Sequence, residues 1–156
     1  YKINAIDATN DKSYQTVLFG NTRGSDYYLF NNNSSIINIL KEDLIYKLGN
    51  FLKSNIVIKD SFFNISKSGG GVKIHSHIGR IDHILKFARR KLSLVYYLTV
   101  GDQNCKNPGI LKFYNPNEEI MPSEGMIVIF PADRYHSVKY DGKKDRIIIA
   151  VNFYII

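Results

Sequence analysis

His75 and His77 are separated by one residue, and a third histidine, His136, follows the apolar run Met126-Ile127-Val128-Ile129-Phe130. Histidine is scarce, with four in the whole chain, so this placement stands out. On a strand, residues i and i+2 project to the same face roughly 6.5–7 Å apart, so His75 and His77 aim two imidazoles at one point. A third ligand must come from elsewhere in the fold, and His136 qualifies. Three ligands on one side of a metal leave the opposite positions open for other molecules. The plain alternative for a lone His-x-His pair is a polar strand face. His136 and Arg146 weigh against it.

Arg146 stands ten residues after His136 and opens the run Arg146-Ile147-Ile148-Ile149-Ala150-Val151-Asn152-Phe153-Tyr154. Strand alternation puts Arg146, Ile148, Ala150 and Asn152 on one face, and Ile147, Ile149, Val151 and Phe153 on the other. The second face is wholly apolar and belongs in a core. The first reads as a pocket lining, with Asn64 a further candidate. An inward guanidinium needs an anion, because an unpaired buried charge is costly, and a carboxylate held by two hydrogen bonds is its natural partner. The alternative is a rim arginine paired with Asp133 or Asp145.

These side chains must be held by a frame, and the pattern is mainly β. Strand-like runs lie at Thr16–Phe19 and Tyr27–Phe30. Ser34 or Ser35 then caps a helix whose apolar positions are Ile36, Ile37, Leu40, Leu44, Leu48, Phe51 and Leu52. After Asn55 the reading switches to strands near 56–65, 72–77, 93–100, 110–114, 126–130, 135–140 and 146–155, divided by Gly, Pro, Asn and Asp. Residues 81–91 look helical and suit an insertion over a barrel mouth. The expected architecture is a double-stranded β-helix, a jelly-roll or cupin-like barrel buttressed by helices. It forms one domain over 1–156, with N-terminal strands and helix to about 55 and the barrel core beyond.

The chain has 156 residues, enough for one core. No apolar run approaches the roughly 18–20 residues of a membrane span. Tyr1-Lys2-Ile3-Asn4 does not read as a signal peptide, and the missing initiator Met suits a piece of a longer protein. Cys105 is the only cysteine, which excludes an internal disulfide and fits a free surface thiol in a reducing, cytoplasmic setting. The net charge of +7 permits an anionic partner. Arg80, Lys86, Arg89, Arg90 and Lys91 form a basic cluster, read first as a solvated helix face and otherwise as a guide for an acidic peptide. Nucleic-acid binding on charge alone is disfavoured.

In these residues the chain resembles the iron(II)/2-oxoglutarate-dependent dioxygenases, particularly their prolyl-hydroxylase-like branch, over about 34–156. The first ligand motif, His-x-Asp, stands here as His75-Ser76-His77. The core strand that follows it is Tyr96-Tyr97-Leu98-Thr99, and the Gly-containing turn is Pro108-Gly109-Ile110-Leu111. His136 matches the distal ligand, and Arg146 the residue that holds the far carboxylate of 2-oxoglutarate. The closing motif is Arg146-Ile147-Ile148-Ile149-Ala150-Val151-Asn152. The resemblance implies Fe(II), 2-oxoglutarate and O2 as cofactor and co-substrates, with hydroxylation of a C–H bond in a protein side chain or small molecule. It implies His75, His77 and His136 as metal ligands, and Arg146, Tyr97 and Asn152 at the co-substrate. The departure is His77, where the family carries a carboxylate. Three-histidine ligation is expected, and a displaced His77 would instead leave room for a second water or a halide. The rival is a cupin-like metal protein working without 2-oxoglutarate. Its first signature matches from Gly69 to His77 with Asp82 in place of a glutamate, and its second matches Gly125, Pro131 and His136. A binding module that keeps the barrel without catalysis is the rival of another class.

Overall fold

The computed structural model describes residues 17–156. Thr16, the first residue of one expected strand, lies outside them. In order come β1 (Leu18–Phe19), β2 (Thr22–Gly24), a 3-10 turn (Leu29–Asn31), α1 (Ser35–Leu52), β3 (Ile56–Ser66) and β4 (Gly70–His75). Then follow α2 (Arg80–Ile84), a second 3-10 turn (Ala88–Arg90), β5 (Lys91–Thr99), β6 (Leu111–Phe113), β7 (Glu118–Ile120), β8 (Ile127–Pro131), β9 (His136–Tyr140) and β10 (Arg146–Ile155). Among the described residues the strands form two five-stranded sheets, ordered β1-β4-β9-β6-β7 and β2-β3-β10-β5-β8.

Strand alternation gives the second sheet two apolar faces. Ile149, Val151 and Phe153 of β10 join Leu94 of β5 and Phe63 of β3 on one face, and Ile37, Leu44 and Leu48 of α1 cover them. Truncating Leu44 or Leu48 to Ala here should cost about 2–5 kcal/mol. On the other face, Ile148 and Ala150 meet Tyr97, with Phe62 and Val95 against them. Beyond these, Leu111, Phe113 and Val138 of the first sheet pack with Phe130 of the second. The barrel interior is thus built from both sheets.

Several expectations change. Tyr27–Phe30 is not a strand. Tyr28 makes one isolated bridge to Ser61, and the chain then enters the 3-10 turn. The helix of Ser35–Leu52 is as expected, but Ile36 and Phe51 point to solvent, because the buried stripe runs through Ile37, Leu44 and Leu48. Ser34 stands at the N-cap in extended conformation, yet its hydroxyl makes no capping bond. The expected helical stretch 81–91 is two short pieces, interrupted where Lys86 adopts φ 58°. Lys91 leaves the basic cluster and is buried, whereas Arg80, Lys86, Arg89 and Arg90 are exposed. Strands β2 and β7, three residues each, were too short to show a pattern. Cys105 is a free thiol, as expected, and is partly buried, its Sγ against the carbonyls of Asp102 and Asn107. No helix among the described residues is long and apolar enough to cross a membrane.

Candidate metal centre and its cavity

The three histidines converge. His75 ends β4 and pairs in register with His136, the first residue of β9. Their ring centroids lie 4.2 Å apart. His77 lies past the end of β4, so simple i, i+2 alternation on one strand does not bring it in. Its backbone N–H instead donates to the Ala132 carbonyl at 2.7 Å, which returns the segment to the other two rings. His77 stands 4.8 Å from His75 and 5.0 Å from His136, centroid to centroid. One nitrogen from each ring lies within 4.8 Å of the other two, close enough for one ion. The Phe130 ring, 4.8 Å away and edge-on, backs His136 on its apolar side.

All three rings resist protonation. Burial lowers His136 to about 4, helped by the charge of His75 and opposed by the Arg134 carbonyl. Burial also lowers His75, opposed by the Lys73 carbonyl. His77 is held well below its ordinary value by burial and then by His136, His75 and Lys91. Neutral imidazoles with free lone pairs are what a metal requires.

The rings open into a chamber of about 50 Å³ whose wall includes Tyr97, Arg146, Ile148, Ala150 and Asn64. Arg146 is 2% exposed. Among the described residues no carboxylate pairs with it, and its Nε has no hydrogen-bond partner. Asp145, the rim partner considered from the sequence, faces Lys67 instead at 3.9 Å. Among the described residues the buried Tyr97 hydroxyl also has no hydrogen-bond partner, and its ring centroid is 5.2 Å from the Arg146 Cζ. Burial pulls Arg146 down and pushes Tyr97 up, each opposed by the other's presence. The guanidinium remains charged, since its ordinary value lies so high. Gly109, at φ 85°, fixes one side of it. A Cβ there would stand 2.9 Å from the Arg146 Cδ and Nε.

A divalent metal and a small dicarboxylic acid fit these residues. The donor set is three neutral imidazoles, and an orphaned cation with an orphaned hydroxyl waits beside it. A cavity needs roughly 10–15 Å³ per water, so the chamber takes the carboxylate end of such an acid. Asn152 does not line the chamber. Its Oδ1 accepts from Ser93 Oγ at 2.7 Å, and its Nδ2 lies 3.4 Å from His77 Nδ1. Sequence reading missed Ser93, although a serine between apolar neighbours in a core strand was the available signal. It also missed the buried cluster at Asp82, which pairs with Lys91 at 3.0 Å and accepts from the Tyr154 hydroxyl at 2.6 Å. Asp82 is therefore not the acidic ligand of the cupin-like alternative. His83, given no role, lies on α2.

A family model described as the 2OG-Fe(II) oxygenase superfamily matches residues 63–154. Among solved structures, the viral collagen prolyl hydroxylase of Paramecium bursaria Chlorella virus-1, in its 2-oxoglutarate complex, superposes with a TM-score of 0.65 at 15% identity, covering 87% of this chain and 80% of that one. A Pseudomonas putida prolyl-4-hydroxylase gives 0.59 at 19% identity, covering 85% and 71%. HygX from Streptomyces hygroscopicus, with nickel and 2-oxoglutarate bound, gives 0.64 at 9% identity, covering 87% and 70%. These likenesses are of fold, the double-stranded β-helix. No curated protein matches the chain.

Proposed function

Since the chain belongs to the 2OG-Fe(II) oxygenase superfamily, we propose that His75, His77 and His136 hold its Fe(II) and that Arg146, with Tyr97, holds the far carboxylate of 2-oxoglutarate. The enzyme is a 2-oxoglutarate-dependent oxygenase. The observation that carries the residue roles is the buried guanidinium, without a carboxylate partner among the described residues, beside three converging neutral imidazoles. When bound, iron and 2-oxoglutarate supply oxygen activation coupled to decarboxylation to succinate, and with it hydroxylation of a C–H bond. The chain's own part is positional. Arg146 offers two parallel N–H donors to a carboxylate, and Tyr97 offers a third from its hydroxyl. Ile148, Ala150 and Val95 keep the chamber apolar around them, which strengthens those contacts.

A second chamber of about 230 Å³ shares Phe62, Asn64, Val72, His75 and His77 with the first. Its described lining includes Ser25 and Tyr27 and contains no Asp, Glu, Lys or Arg. The Tyr27 ring meets Phe62 edge-on at 5.2 Å. We assign this chamber to the substrate, as an uncharged group. Its volume falls below the roughly 300–1,000 Å³ of sites that enclose a drug-sized ligand. One side chain or a small metabolite suits it, while Arg80, Arg89 and Arg90 remain outside for any acidic flank.

Anaerobic titration with Fe(II) and 2-oxoglutarate tests the residue roles. A visible metal-to-ligand charge-transfer band is expected, lost in His136→Ala and weakened in Arg146→Ala. An undiminished band in either variant would overturn the assignment. Succinate release under O2 should rise with blocked amino acids bearing neutral side chains, not with blocked aspartate or lysine. The reverse order would refute the substrate class.

A further inference from the structure

The three imidazoles do not share one hydrogen-bonding pattern. His75 Nδ1 lies 2.8 Å from the Lys73 carbonyl oxygen, and His136 Nδ1 lies 3.1 Å from that of Arg134. A carbonyl only accepts, so in the neutral rings both Nδ1 atoms carry the proton and both Nε2 atoms keep a lone pair. A histidine that ligates a metal usually donates its other ring N–H in this way. Among the described residues no such carbonyl meets a ring nitrogen of His77. Its Nδ1 faces the Asn152 side-chain nitrogen at 3.4 Å, while Asn152 Oδ1 accepts from Ser93 Oγ at 2.7 Å. An amide nitrogen only donates, so with the amide in this orientation His77 Nδ1 accepts and the ring proton belongs on Nε2.

Rotating the amide by half a turn reverses the assignment. Asn152 Oδ1 would then accept from His77 Nδ1–H, and His77 Nε2 would be free to ligate. Ser93 satisfies both positions, because a hydroxyl donates to Oδ1 or accepts from Nδ2. The pair is well placed for this task. Ser93 and Asn152 are register partners on β5 and β10, and both are buried. The His77 backbone is anchored on Ala132, so the partner at Nδ1 is left to decide the tautomer.

We propose that Asn152, steadied by Ser93, is a positioning residue that sets the tautomer of His77. An amide nitrogen facing the ring leaves the proton on His77 Nε2, whereas an amide oxygen facing it frees Nε2 to ligate. His75 and His136 are set by carbonyls to ligate through Nε2, and His77 matches them when the Asn152 amide oxygen meets its Nδ1. The second half of this proposal rests on reading the cluster as a metal site, and the first half does not.

The test is a long-range 1H–15N correlation spectrum of the full chain at a pH where the rings are neutral, before and after Zn(II), a diamagnetic probe. The metal-free protein is expected to show His75 and His136 protonated on Nδ1 and His77 on Nε2. Zn(II) should convert His77 to Nδ1–H. Asn152→Asp, whose carboxylate only accepts, should give His77 the Nδ1–H form without metal. Asn152→Leu should weaken Zn(II) binding by about 10–100-fold, the usual effect of losing a ligand's outer partner. A common tautomer for all three rings in the metal-free protein would overturn the proposal, as would an unchanged His77 in Asn152→Asp. The mixed pattern without any Zn(II) binding would instead retire the metal reading of the cluster. The wild-type spectrum decides the first point even if a variant fails to fold.

Discussion

Lys91 and Arg146 are buried cations on adjacent strands of one sheet, and each has a tyrosine ring beside it. Lys91 Nζ lies 5.6 Å from the Tyr154 centroid, and Arg146 Cζ lies 5.2 Å from that of Tyr97. There the likeness ends. Lys91 has Asp82 at 3.0 Å, and that carboxylate also accepts from the Gly79 N–H and the Tyr154 hydroxyl. Arg146 has no carboxylate partner among the described residues. The first charge is neutralised from within the chain, and that cluster pins the segment carrying α2 to the sheet. The second faces a chamber with no anion among the described residues, the place proposed above for the far carboxylate of 2-oxoglutarate. A buried cation's role is therefore read from where its anion comes from.

The largest effect should come from opening the closed pair. Asp82→Ala strands Lys91 without its anion and should cost about 3–5 kcal/mol in urea unfolding. Adding Lys91→Met should recover most of that loss. If Asp82→Ala costs under about 1 kcal/mol, the pair is not structural and the contrast fails. Arg146→Met should do the opposite in the unliganded protein, leaving stability unchanged or raised. Its effect should fall on 2-oxoglutarate, with affinity lower by about 2–5 kcal/mol in anaerobic titration with Fe(II). Loss of stability without loss of affinity would make Arg146 a second structural cation.

Acid separates the two regions. The folded value of His136, about 4, lies below its unfolded value of about 6.5. Between those values the unfolded chain binds a proton that the folded protein refuses. The stabilisation is therefore complete above about pH 6.5 and is lost as pH falls towards 4, a change of about 3 kcal/mol from His136. His75 and His77, also lowered, act with the same sign. At Asp82, burial pushes the carboxyl up, but its hydrogen bonds from Tyr154, Gly79 and Lys91 outweigh this and hold it below 3.8. Its contribution therefore survives to lower pH. Unfolding free energy measured against pH should fall first in the histidine range, and His136→Phe should flatten that slope.

Much of this was legible in the sequence, for reasons that differ by residue. Period-two alternation identified the inward face of β10, and Arg146, Ile148 and Ala150 do line the chamber. Scarce histidines made His75, His77 and His136 visible. Long-range pairing hid the rest. Nothing local links Ser93 to Asn152, or Asp82 to Lys91 and Tyr154, because those contacts exist only after β5 and β10 align. Lys91 read as a surface charge because its neighbours Arg89 and Arg90 are one. His77 was expected on a strand, whereas a backbone bond to Ala132 brings it in from a loop.

The smallest effects should come from the two tyrosines, and they sharpen the comparison most. Tyr154 donates to Asp82 at 2.6 Å, and burial and that bond push its own ionisation up to about 12. Tyr154→Phe removes a hydrogen bond to a charged group and should cost about 1.5–3 kcal/mol of stability. The Tyr97 hydroxyl is more deeply buried, on a fully buried side chain, and has no hydrogen-bond partner among the described residues. Tyr97→Phe removes an unsatisfied polar atom, so the unliganded protein should be as stable as wild type or more so. If that hydroxyl is reserved for the same carboxylate as Arg146, the variant should bind 2-oxoglutarate about tenfold more weakly, equivalent to about 1.4 kcal/mol. Equal stability losses in the two variants, with unchanged 2-oxoglutarate affinity in Tyr97→Phe, would mean that both tyrosines serve the fold and that the open side of the chamber is held by Arg146 alone.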